Sequence, residues 1–399
     1  MPCAASHGAA AEHGAGPELA DIVRLHGDEL CRTRRLASVQ LRALRAIKAC
    51  RTAVLGGHRE RCDRCGASRS VYHSCRNRHC PKCQTLAKER WIEARRAELL
   101  PVPYFHLVFT LPHELNRLAQ HAPRIVYNLL FKAASSTLQS FGQDPKHLGG
   151  EIGITAILHT WGQNLGQHIH LHCLVTGGAL APDRSRWLHA SPRYLFPVRA
   201  LSPVFRAKFI AGLERAFENH LLPRDETPTE HLLTCLRSKS WVVYAKRPFA
   251  GPESVLQYLG RYTHRIAISN SRILGLQKGV VQFRWRDYRD HGRNKIMQLP
   301  AYEFLRRFLL HVLPRGFMRI RHFGLLANRH RKSKLERCRE LLAAPPPLPA
   351  KLDESVIERV KRLTGQDLTR CPFCKDGTMR ITCELPSGLI ATVPILDSS

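Results

Sequence analysis

The order of hydrophobic and polar positions divides the chain into helical and extended stretches. Leucines recur at near-helical spacing through the first fifty residues, at Leu25, Leu30, Leu36, Leu41 and Leu44. This period predicts helix from about Leu19 to Cys50, and a second helix is predicted from about Leu86 to Leu100. Pro101 and Pro103 end that helix, so we place the first domain boundary at residue 100.

Beyond residue 100 the pattern changes to short extended runs. Tyr104–Thr110 is rich in aromatic and β-branched residues and is closed by Pro112, which is typical of a strand. Further strands are predicted at 154–160, 168–176, 241–245 and 280–285, and helices near 123–140, 203–220, 252–263 and 302–313. This mixture predicts an α+β fold with an antiparallel-rich sheet.

The C-terminal part begins with a proline-rich run. Residues 343–349 read Ala-Ala-Pro-Pro-Pro-Leu-Pro, which predicts a semi-rigid linker, and a short module with Cys371 and Cys374 follows. We therefore predict three parts, which are a helical, cysteine-rich domain at 1–100, an α+β domain at 101–340 and a linker with a small tail module at 341–399.

The charge balance indicates the class of partner. Lys and Arg number 62 against 32 Asp and Glu, which gives a formal net charge of +30. Such an excess repels itself unless a polyanion neutralises it, so we expect nucleic acid as the partner. No apolar run reaches the roughly 18 residues that span a bilayer, and the N-terminal segment lacks the pattern of a signal peptide. We expect a cytoplasmic protein with no membrane partner.

The cysteines are crowded into Cys-x-x-Cys pairs, which indicates metal rather than disulfides. Cys62 and Cys65 are separated by fourteen residues from Cys80 and Cys83. Two such knuckles can place four thiolates around one tetrahedral Zn²⁺, and a site with four protein ligands is structural rather than catalytic. The sequence therefore predicts one structural zinc bound by these four cysteines.

Other residues near these pairs leave alternatives open. Further candidate ligands lie close by, at Cys50, His58, Cys75 and His79, so a second zinc or a different set of four is an alternative. The pair Cys371 and Cys374, followed by Cys383, resembles half a zinc ribbon, without an evident fourth ligand. Cations within the knuckle region would be held rigidly against phosphates, and we predict DNA contacts for Arg76, Arg78 and Lys82.

Three histidines alternate in the strand predicted at 168–176. His168, His170 and His172 fall on one face because side chains of a strand alternate, while the apolar residues between them occupy the opposite face. Three neighbouring imidazoles would repel one another if charged, so a divalent metal explains them best. Imidazole ligands suit manganese, zinc and nickel and, where DNA phosphate supplies oxygen ligands, magnesium.

Two tyrosines lie four residues apart in the helix predicted at 252–263. Tyr258 and Tyr262 therefore share one helix face, and Arg261 and Arg265 lie beside them as candidate phosphate ligands. A phenol becomes a nucleophile once a metal or base helps to remove its proton. A phosphotyrosine ester conserves the phosphodiester energy for rejoining, so this pair, taken with the histidines, predicts a metal-assisted nuclease acting on single-stranded DNA.

Several long motifs in order resemble one family, the bacterial rolling-circle insertion-sequence transposases of the two-tyrosine HUH group numbered ninety-one. The resemblance spans most of the chain and rests on the segments 74–83, 104–112, 159–165, 258–268 and 311–324. The family's pair of histidines around a hydrophobic residue maps best onto His170 and His172, although His168 and His170 also fit. Family members often carry proline where this chain has Ile169, which favours the downstream pair and leaves His168 as a candidate third ligand.

The resemblance implies a fold, a site and a reaction. It implies a four- or five-stranded antiparallel sheet flanked by helices, with the histidines on a central strand and the two nucleophiles, Tyr258 and Tyr262, on a facing helix. It assigns the N-terminal cysteines to the family's zinc-binding region. A catalytic Mg²⁺ or Mn²⁺ would help a tyrosine to form a 5′-phosphotyrosine on single-stranded DNA at the transposon ends and target, in a nucleoid-associated bacterial enzyme.

Two alternatives compete with a transposase. A rolling-circle replication initiator or relaxase would use the same histidines and tyrosines, and only the zinc region and the C-terminal motifs disfavour it. A zinc-containing DNA-binding regulator would use the tyrosines for packing and the histidines for structure. Cleavage of an oligonucleotide from a transposon end separates this regulator from both enzymes.

Overall fold

The computed structural model describes residues 16–222, 229–249, 254, 255, 258, 260, 267–346 and 354–388 of the chain. The helices in these ranges are α1 Leu19–Thr33, α2 Ser38–Ala49, α3 Gln84–Arg96, α4 Leu115–His121, α5 Pro123–Gln143, α6 Val198–Glu218, α7 Thr229–Ser238, α8 Ala301–Leu309, α9 Arg331–Leu341 and α10 Val356–Thr364. The strands are β1 Gly57–Cys62, β2 Ser68–Tyr72, β3 Tyr104–Thr110, β4 Glu151–Trp161, β5 Gln167–Leu180, β6 Trp187–His189, β7 Val243–Phe249, β8 Ile273–Gln277, β9 Val280–Asp287, β10 Arg293–Pro300, β11 Ile320–Gly324 and β12 Met379–Leu385.

The largest sheet confirms the predicted α+β fold with antiparallel strands. Its strand order is β11-β4-β5-β3-β7, and the short strand β6 also pairs with β5. All of its pairings are antiparallel, and β5, the strand of the three histidines, lies between β4 and β3. The sheet therefore has six strands where the resemblance implied four or five, with the histidines on a central strand as expected.

The two faces of this sheet have different covers. Ile169, Leu171 and Cys173 of β5 belong to the main hydrophobic core, which α5 and α6 complete. The helix α5 fits this position because Pro123 starts it and its buried residues recur at three- and four-residue intervals. A smaller core, with Leu174, Ile157 and Tyr104 packed against residues of α3 and α9, covers part of the opposite face. This second face is the one that carries the histidines.

The N-terminal helices differ from the single helix predicted over 19–50. The chain turns between α1 and α2, and Gln40 fixes this turn through its side chain. Its Oε1 accepts a hydrogen bond from the backbone of Ala37 at 3.0 Å, and its Nε2 donates to the carbonyl of Leu309 at 3.0 Å. Both helices thereby pack on α8 and on a three-stranded sheet of order β10-β9-β8.

A third sheet joins the two ends of the chain. Its order is β12-β1-β2, and β12 from the tail runs antiparallel to β1. The predicted tail module therefore shares a sheet with the cysteine-rich region rather than standing apart from it. In the described part of the chain, no helix is long and apolar enough to cross a membrane.

Candidate active site and metal centres

Three histidines from two adjacent strands form a group that could bind a metal ion. His159 lies on β4 directly opposite His170 on β5, and His172 follows two residues later on the same face. One ring nitrogen from each of the three lies within 4.8 Å of the others. The centroid of the His172 ring lies 4.4 Å from that of His159 and 4.8 Å from that of His170.

The third member of this group is His159, whereas the sequence offered His168 as the candidate third ligand. His168 lies at the start of β5 and is exposed, and the structure does not place it in the metal-binding group. Its backbone carbonyl instead accepts a hydrogen bond of 2.9 Å from Nδ1 of His170. His159 was missed because it lies on another strand, and only the register between β4 and β5 brings it beside the pair.

The environment keeps the imidazoles of His170 and His172 in the neutral form that metals bind. Burial lowers the pKa of His170 to about 3, helped by its neighbour His168. Burial, reinforced by the histidines around it, holds the pKa of His172 well below its ordinary value. The hydrogen bond to the carbonyl of His168 fixes the proton of His170 on Nδ1, because a carbonyl only accepts, and this leaves the Nε2 lone pair for a ligand.

Tyr258 places its hydroxyl beside the histidine group. The Tyr258 oxygen lies 3.1 Å from Nδ1 of His172 and 2.5 Å from Nε2 of His106. The two imidazoles stack nearly parallel, with ring centroids 5.1 Å apart. The tyrosine ring also packs against Phe249, with centroids 4.8 Å apart. The phenol is therefore held between two histidines, one of which belongs to the metal-binding group.

His106 is a site residue that sequence reasoning missed. It lies on β3 in the middle of an apolar strand, 3% exposed, and burial, with a smaller contribution from Lys246, lowers its pKa to about 3. A neutral imidazole at this point can accept a hydrogen bond from the Tyr258 hydroxyl. The signal in the sequence was a histidine inside the largely apolar run Tyr104–Thr110, but its proximity to His172 follows only from the pairing of β3 with β5.

The segment around Tyr258 is helical where the structure describes it, at residues 254, 255, 258 and 260. This agrees with the helix predicted over 252–263. Its glycine allows a close approach, because a Cβ at Gly260 would lie 2.9 Å from Cδ1 of Ile92 on α3. The predicted second nucleophile, Tyr262, and the predicted DNA ligands Arg261 and Arg265 lie outside the described residues.

A basic cavity of about 730 Å³ lies along β11, the strand beside β4. Its lining includes six arginines, Arg78, Arg95, Arg124, Arg319, Arg321 and Arg331. Trp91, Phe317 and Phe323 also line it. Within the described residues its lining contains no carboxylate, although Glu98 forms ion pairs with Arg95 at 2.9 Å and Arg331 at 3.4 Å. The cavity thus combines cations with aromatic rings, as single-stranded nucleic-acid sites do.

Arg319 connects this cavity to the histidine group. Its guanidinium lies 6.0 Å from the centre of the Trp161 ring, which in turn stacks on His159 with centroids 4.5 Å apart. Burial, reinforced by Arg78, lowers the pKa of Arg319 to about 9. An anion bound there would offset the cost of burying this charge. Of the six arginines that line this cavity, Arg78 alone was predicted from the sequence as a DNA ligand.

The other predicted DNA ligands have different surroundings. Arg76 is exposed, whereas Lys82 forms an ion pair with Glu18 at 2.6 Å. The guanidinium of Arg78 donates hydrogen bonds to the carbonyls of a loop near β11, at Leu313, Pro314 and Phe317, with distances of 3.3, 2.7 and 2.7 Å. Arg78 therefore holds this loop in place, and Arg76 is the freest of the three to meet a phosphate.

The four cysteines predicted to share one zinc are divided between two groups. The first cysteine cluster contains Cys50, Cys75, Cys80 and Cys83, and the second cysteine cluster contains Cys62, Cys65, Cys371 and Cys374. The predicted set of Cys62, Cys65, Cys80 and Cys83 is therefore corrected, because β1 and β2 carry the first pair away from the second. Cys50 and Cys75, which complete the first cluster, were among the alternatives left open, whereas the grouping of Cys371 and Cys374 with Cys62 and Cys65 was not predicted.

The first cysteine cluster has the dimensions of a tetrahedral zinc site. Its Sγ atoms are 3.6 Å apart for Cys50 and Cys83, 3.6 Å for Cys75 and Cys83, and 3.7 Å for Cys50 and Cys80. Zinc–sulfur bonds of about 2.3 Å in a tetrahedron require sulfur–sulfur distances of about 3.8 Å. The thiolates therefore fit a structural zinc without rearrangement of the backbone.

The two nearby histidines belong to neither cluster. Nε2 of His79 accepts a hydrogen bond from the backbone of Leu313 at 3.1 Å, and its Nδ1 lies 3.1 Å from the side-chain oxygen of Asn77. His58 pairs with Glu60 at 3.1 Å. These contacts account for the histidines that the sequence offered as alternative ligands.

Two family models match parts of the chain. A family model described as a putative transposase matches residues 153–334, the range that contains most of β4, all of β5 and Tyr258. A second model, described as a transposase zinc-binding domain, matches residues 22–111, which contain the whole first cysteine cluster. Cys371 and Cys374 lie outside both matches.

Two curated relatives align with nearly the whole chain. The chain is 48% identical over 395 residues to the putative transposase y4qJ of Sinorhizobium fredii, covering 96% of this chain and 99% of the relative. It is 28% identical over 372 residues to the transposase for insertion sequence element IS801 of Pseudomonas savastanoi pv. phaseolicola, covering 89% of this chain and 86% of the relative.

Proposed function

The chain belongs to the IS91 family of insertion-sequence transposases with an N-terminal zinc-binding region, and we propose that it cleaves single-stranded DNA through a covalent link to Tyr258. The observation that carries this proposal is the position of the Tyr258 hydroxyl, within hydrogen-bonding distance of both His106 and His172. A half-buried phenol between two neutral imidazoles is arranged to lose its proton, which a nucleophilic tyrosine requires.

The histidine group fits a catalytic divalent ion. His159, His170 and His172 offer three ring nitrogens within 4.8 Å, and this donor set suits Mn²⁺, or Mg²⁺ where phosphate and water supply the remaining oxygen ligands. When bound there, the ion would polarise the scissile phosphate and stabilise the charge that develops on it. The hydrogen bond from His170 to the carbonyl of His168 keeps one of these ligands oriented.

The side chains of the site account for the proton transfers. His106 accepts the phenolic proton at Nε2, while the Nδ1–H of His172 donates to the phenolate oxygen. The Tyr258 oxygen then attacks phosphorus in line and the bond from phosphorus to the 3′ oxygen breaks. The departing 3′ oxygen takes up a proton, which balances the one moved to His106. The products are a 5′-phosphotyrosine and a free 3′-OH.

Tyr262 is proposed as the second nucleophile. It lies four residues after Tyr258 in the sequence, and the family resemblance assigns it that role. With two tyrosines, the enzyme can hold covalent links to two strands during exchange, while the free 3′-OH primes replication. This is the chemistry of rolling-circle transposition.

The basic cavity along β11 is the proposed route for the DNA strand. Its arginines supply phosphate contacts, and Trp91 and Phe323 supply flat faces for unpaired bases. Arg319 and Trp161 lead from this cavity to His159. Such a combination favours single-stranded over double-stranded DNA, because stacking requires bases that are not paired with a complementary strand.

A cleavage assay tests the nucleophile. Purified protein is incubated with Mn²⁺ and a labelled single-stranded oligonucleotide from an end of its own insertion sequence, and covalent adducts are separated by denaturing electrophoresis and located by peptide mapping. We expect an adduct on Tyr258 that chelator abolishes and that Tyr258→Phe removes. Tyr288→Phe is the matched control, because Tyr288 is 67% exposed and lies outside the site.

Two outcomes would contradict this proposal. Cleavage by the double variant Tyr258→Phe, Tyr262→Phe would show that neither phenol is the nucleophile. Tight binding of the correct end without any adduct would favour a DNA-binding regulator. A further variant, His106→Gln, is expected to slow cleavage by about 10²–10⁴-fold while DNA binding is unchanged. The substitution removes the proton acceptor but leaves the β3 backbone in place.

A further inference from the structure

We propose that the second cysteine cluster binds a second structural Zn²⁺, which ties the C-terminal tail to the N-terminal module. This site is separate from the first cysteine cluster, and two of its four ligands, Cys371 and Cys374, lie outside the segment that matches the transposase zinc-binding domain. The proposal does not depend on the cleavage mechanism.

The sulfur positions fit a tetrahedral zinc. The Sγ atoms of Cys62 and Cys374 are 3.7 Å apart, and those of Cys65 and Cys371 are also 3.7 Å apart. All four lie within 4.8 Å of one another. Zinc–sulfur bonds of about 2.3 Å require edges of about 3.8 Å, so both cross-pair distances already match.

The backbone around the sulfurs is arranged for thiolates. Backbone N–H groups of Arg64 and Cys65 donate to Sγ of Cys62 at 3.4 Å each. On the opposite side, the N–H of Gly377 donates to Sγ of Cys374 at 3.4 Å. Hydrogen bonds donated to a sulfur stabilise its ionised form, which is the form that binds zinc.

Both cysteine pairs lie in turns that are closed in the same way. The N–H of Cys62 bonds to the carbonyl of Ala67 at 2.8 Å, and the N–H of Cys371 bonds to the carbonyl of Gly377 at 2.8 Å. A glycine is needed at 377, because a Cβ there would collide with Sγ of Cys62 and would lie 2.9 Å from Cβ of Arg64. The two turns are thus packed face to face around the sulfurs.

Contacts outside the cluster hold the two turns together. Asp63 accepts a hydrogen bond from the N–H of Thr378 at 2.8 Å, and its own N–H donates to the carbonyl of Thr378 at 3.1 Å. Arg380 adds an ion pair to Asp63 at 3.3 Å. These bonds act together with the sulfur cluster to align the two turns, on a region that has few buried apolar residues of its own.

Hydrophobic packing does not explain why these cysteines converge. The hydrophobic cluster around them contains three buried residues, namely Cys62, Cys371 and Met379, among the residues that the structure describes. Cys65 is exposed, which is unfavourable for a thiol retained only for packing. A metal ion gives all four sulfurs a common function that burial does not.

The proposed zinc has a structural consequence for the active site. The tail helix α10 is fixed to α3 by ion pairs of Glu93 with Arg359 and with Arg362. The helix α3 also carries Ile92, which lies against the glycine two residues after Tyr258. A zinc at the second cysteine cluster would therefore anchor the tail that carries α10, and α10 in turn is paired with α3.

Metal content tests the proposal directly. We expect the full-length protein to contain one more zinc ion per chain than the variant Cys371→Ser, Cys374→Ser, as measured by elemental mass spectrometry. This difference does not depend on zinc at the histidine group, because both proteins retain that group. Cys235→Ser is the matched control and should contain as much zinc as the natural sequence, because Cys235 belongs to neither cluster. Equal zinc contents in the natural sequence and the double variant would overturn the proposal.

A second measurement avoids variants that fail to fold. In the zinc-loaded protein of natural sequence, Cys65 should resist alkylation although it is exposed, while the exposed Cys31 reacts. Chelation should then make Cys65 and Cys374 reactive. If Cys65 were alkylated as fast as Cys31 before chelation, the second cysteine cluster would hold no metal. Neither readout requires DNA cleavage, so a failed cleavage assay leaves this test intact.

Discussion

The two cysteine clusters have similar sulfur geometry and very different surroundings. In the first cysteine cluster, Cys50 and Cys80 belong to a hydrophobic core of twenty buried residues among those described, built from α1, α2, α8 and the sheet β10-β9-β8. In the second cysteine cluster, the corresponding core has three buried residues. The outermost ligands of the first lie 33 residues apart, whereas pairs in the second are separated by 306 and 312 residues.

This difference predicts which region depends more on metal for its stability. Burial of apolar surface contributes about 25 cal/mol per Å², so the first region has a source of stability besides its ligands. The sheet β12-β1-β2 has little such surface and must close a loop of more than 300 residues. We therefore expect the first region to stay folded without zinc and the second region to unfold when zinc is removed.

Removal of zinc is expected to have the largest effect. Structural zinc contributes about 10–16 kcal/mol of apparent binding free energy in small domains. After chelation, backbone amides of β1, β2 and β12 should lose their protection from hydrogen exchange, because little else holds these strands. Amides of α1, α2 and α8 should remain protected. Loss of protection in both regions together would contradict the comparison.

A truncation in the core of the first region should have the next largest effect. Phe304 is fully buried and packs edge-on against Phe283, with centroids 5.7 Å apart. Phe304→Ala should lower the free energy of unfolding by about 3–5 kcal/mol, as denaturant titration would measure. The control is Ile381→Ala on β12, which is 61% exposed and should change stability by less than about 0.5 kcal/mol. Equal effects would mean that the two regions do not differ in packing.

Acid should affect the first region through His311. Burial lowers the pKa of His311 to about 4, and its Nε2 donates to the carbonyl of Leu165 at 3.0 Å. The pKa of His311 in the folded state lies below its unfolded value of about 6.5. Its contribution to the free energy of unfolding is therefore fully present above about pH 6.5 and is lost as the pH falls towards 4. Between pH 7.5 and 5.5 the loss should be up to about 1.4 kcal/mol.

The variant His311→Gln isolates this contribution. It removes the titrating group, so its stability should change less with pH than that of the natural sequence. Chemical denaturation at the two pH values, with zinc present, measures both slopes. Identical slopes would show that protonation of His311 is not coupled to unfolding.

The smallest expected effect is at the start of the tail helix. The Ser355 side chain caps α10 by accepting from the N–H of Glu358 at 3.2 Å, and Glu358 returns a bond to the N–H of Ser355 at 2.8 Å. Ser355→Ala should cost about 1 kcal/mol locally and increase proteolysis within 356–364. Exchange protection of β12 should not change, because the second cysteine cluster anchors that strand independently. Loss of β12 protection in this variant would show that α10, rather than the second cysteine cluster, anchors the strand.

Local pattern was sufficient for much of the fold and part of the active site. Alternation predicted β5 with its histidines, because one strand determines which of its own side chains share a face. It could not identify His106 or His159 as partners, since these come from β3 and β4 and depend on strand pairing. Equally, the turn between α1 and α2 depends on the contact of Gln40 with Leu309.

The cysteines show the same limit more sharply. Spacing alone favoured Cys62, Cys65, Cys80 and Cys83 as one site, because both pairs have the form of a zinc knuckle. Their actual partners are set by where β1, β2 and β12 lie in space. A pair near residue 371 cannot be assigned to a pair near residue 62 by spacing, because the intervening fold decides whether they meet.

The pairing of β1 with β12 also bears on how the protein is made. During synthesis, β1 emerges early, but its partner strand and two of the four cysteines in the second cluster emerge more than 300 residues later. The small sheet can therefore be completed only when the ribosome has nearly finished the chain, and such distant contacts form slowly. A product truncated before residue 371 would keep one edge of β1 without its partner and Cys62 and Cys65 without their counterparts, which makes it a ready substrate for aggregation or proteolysis.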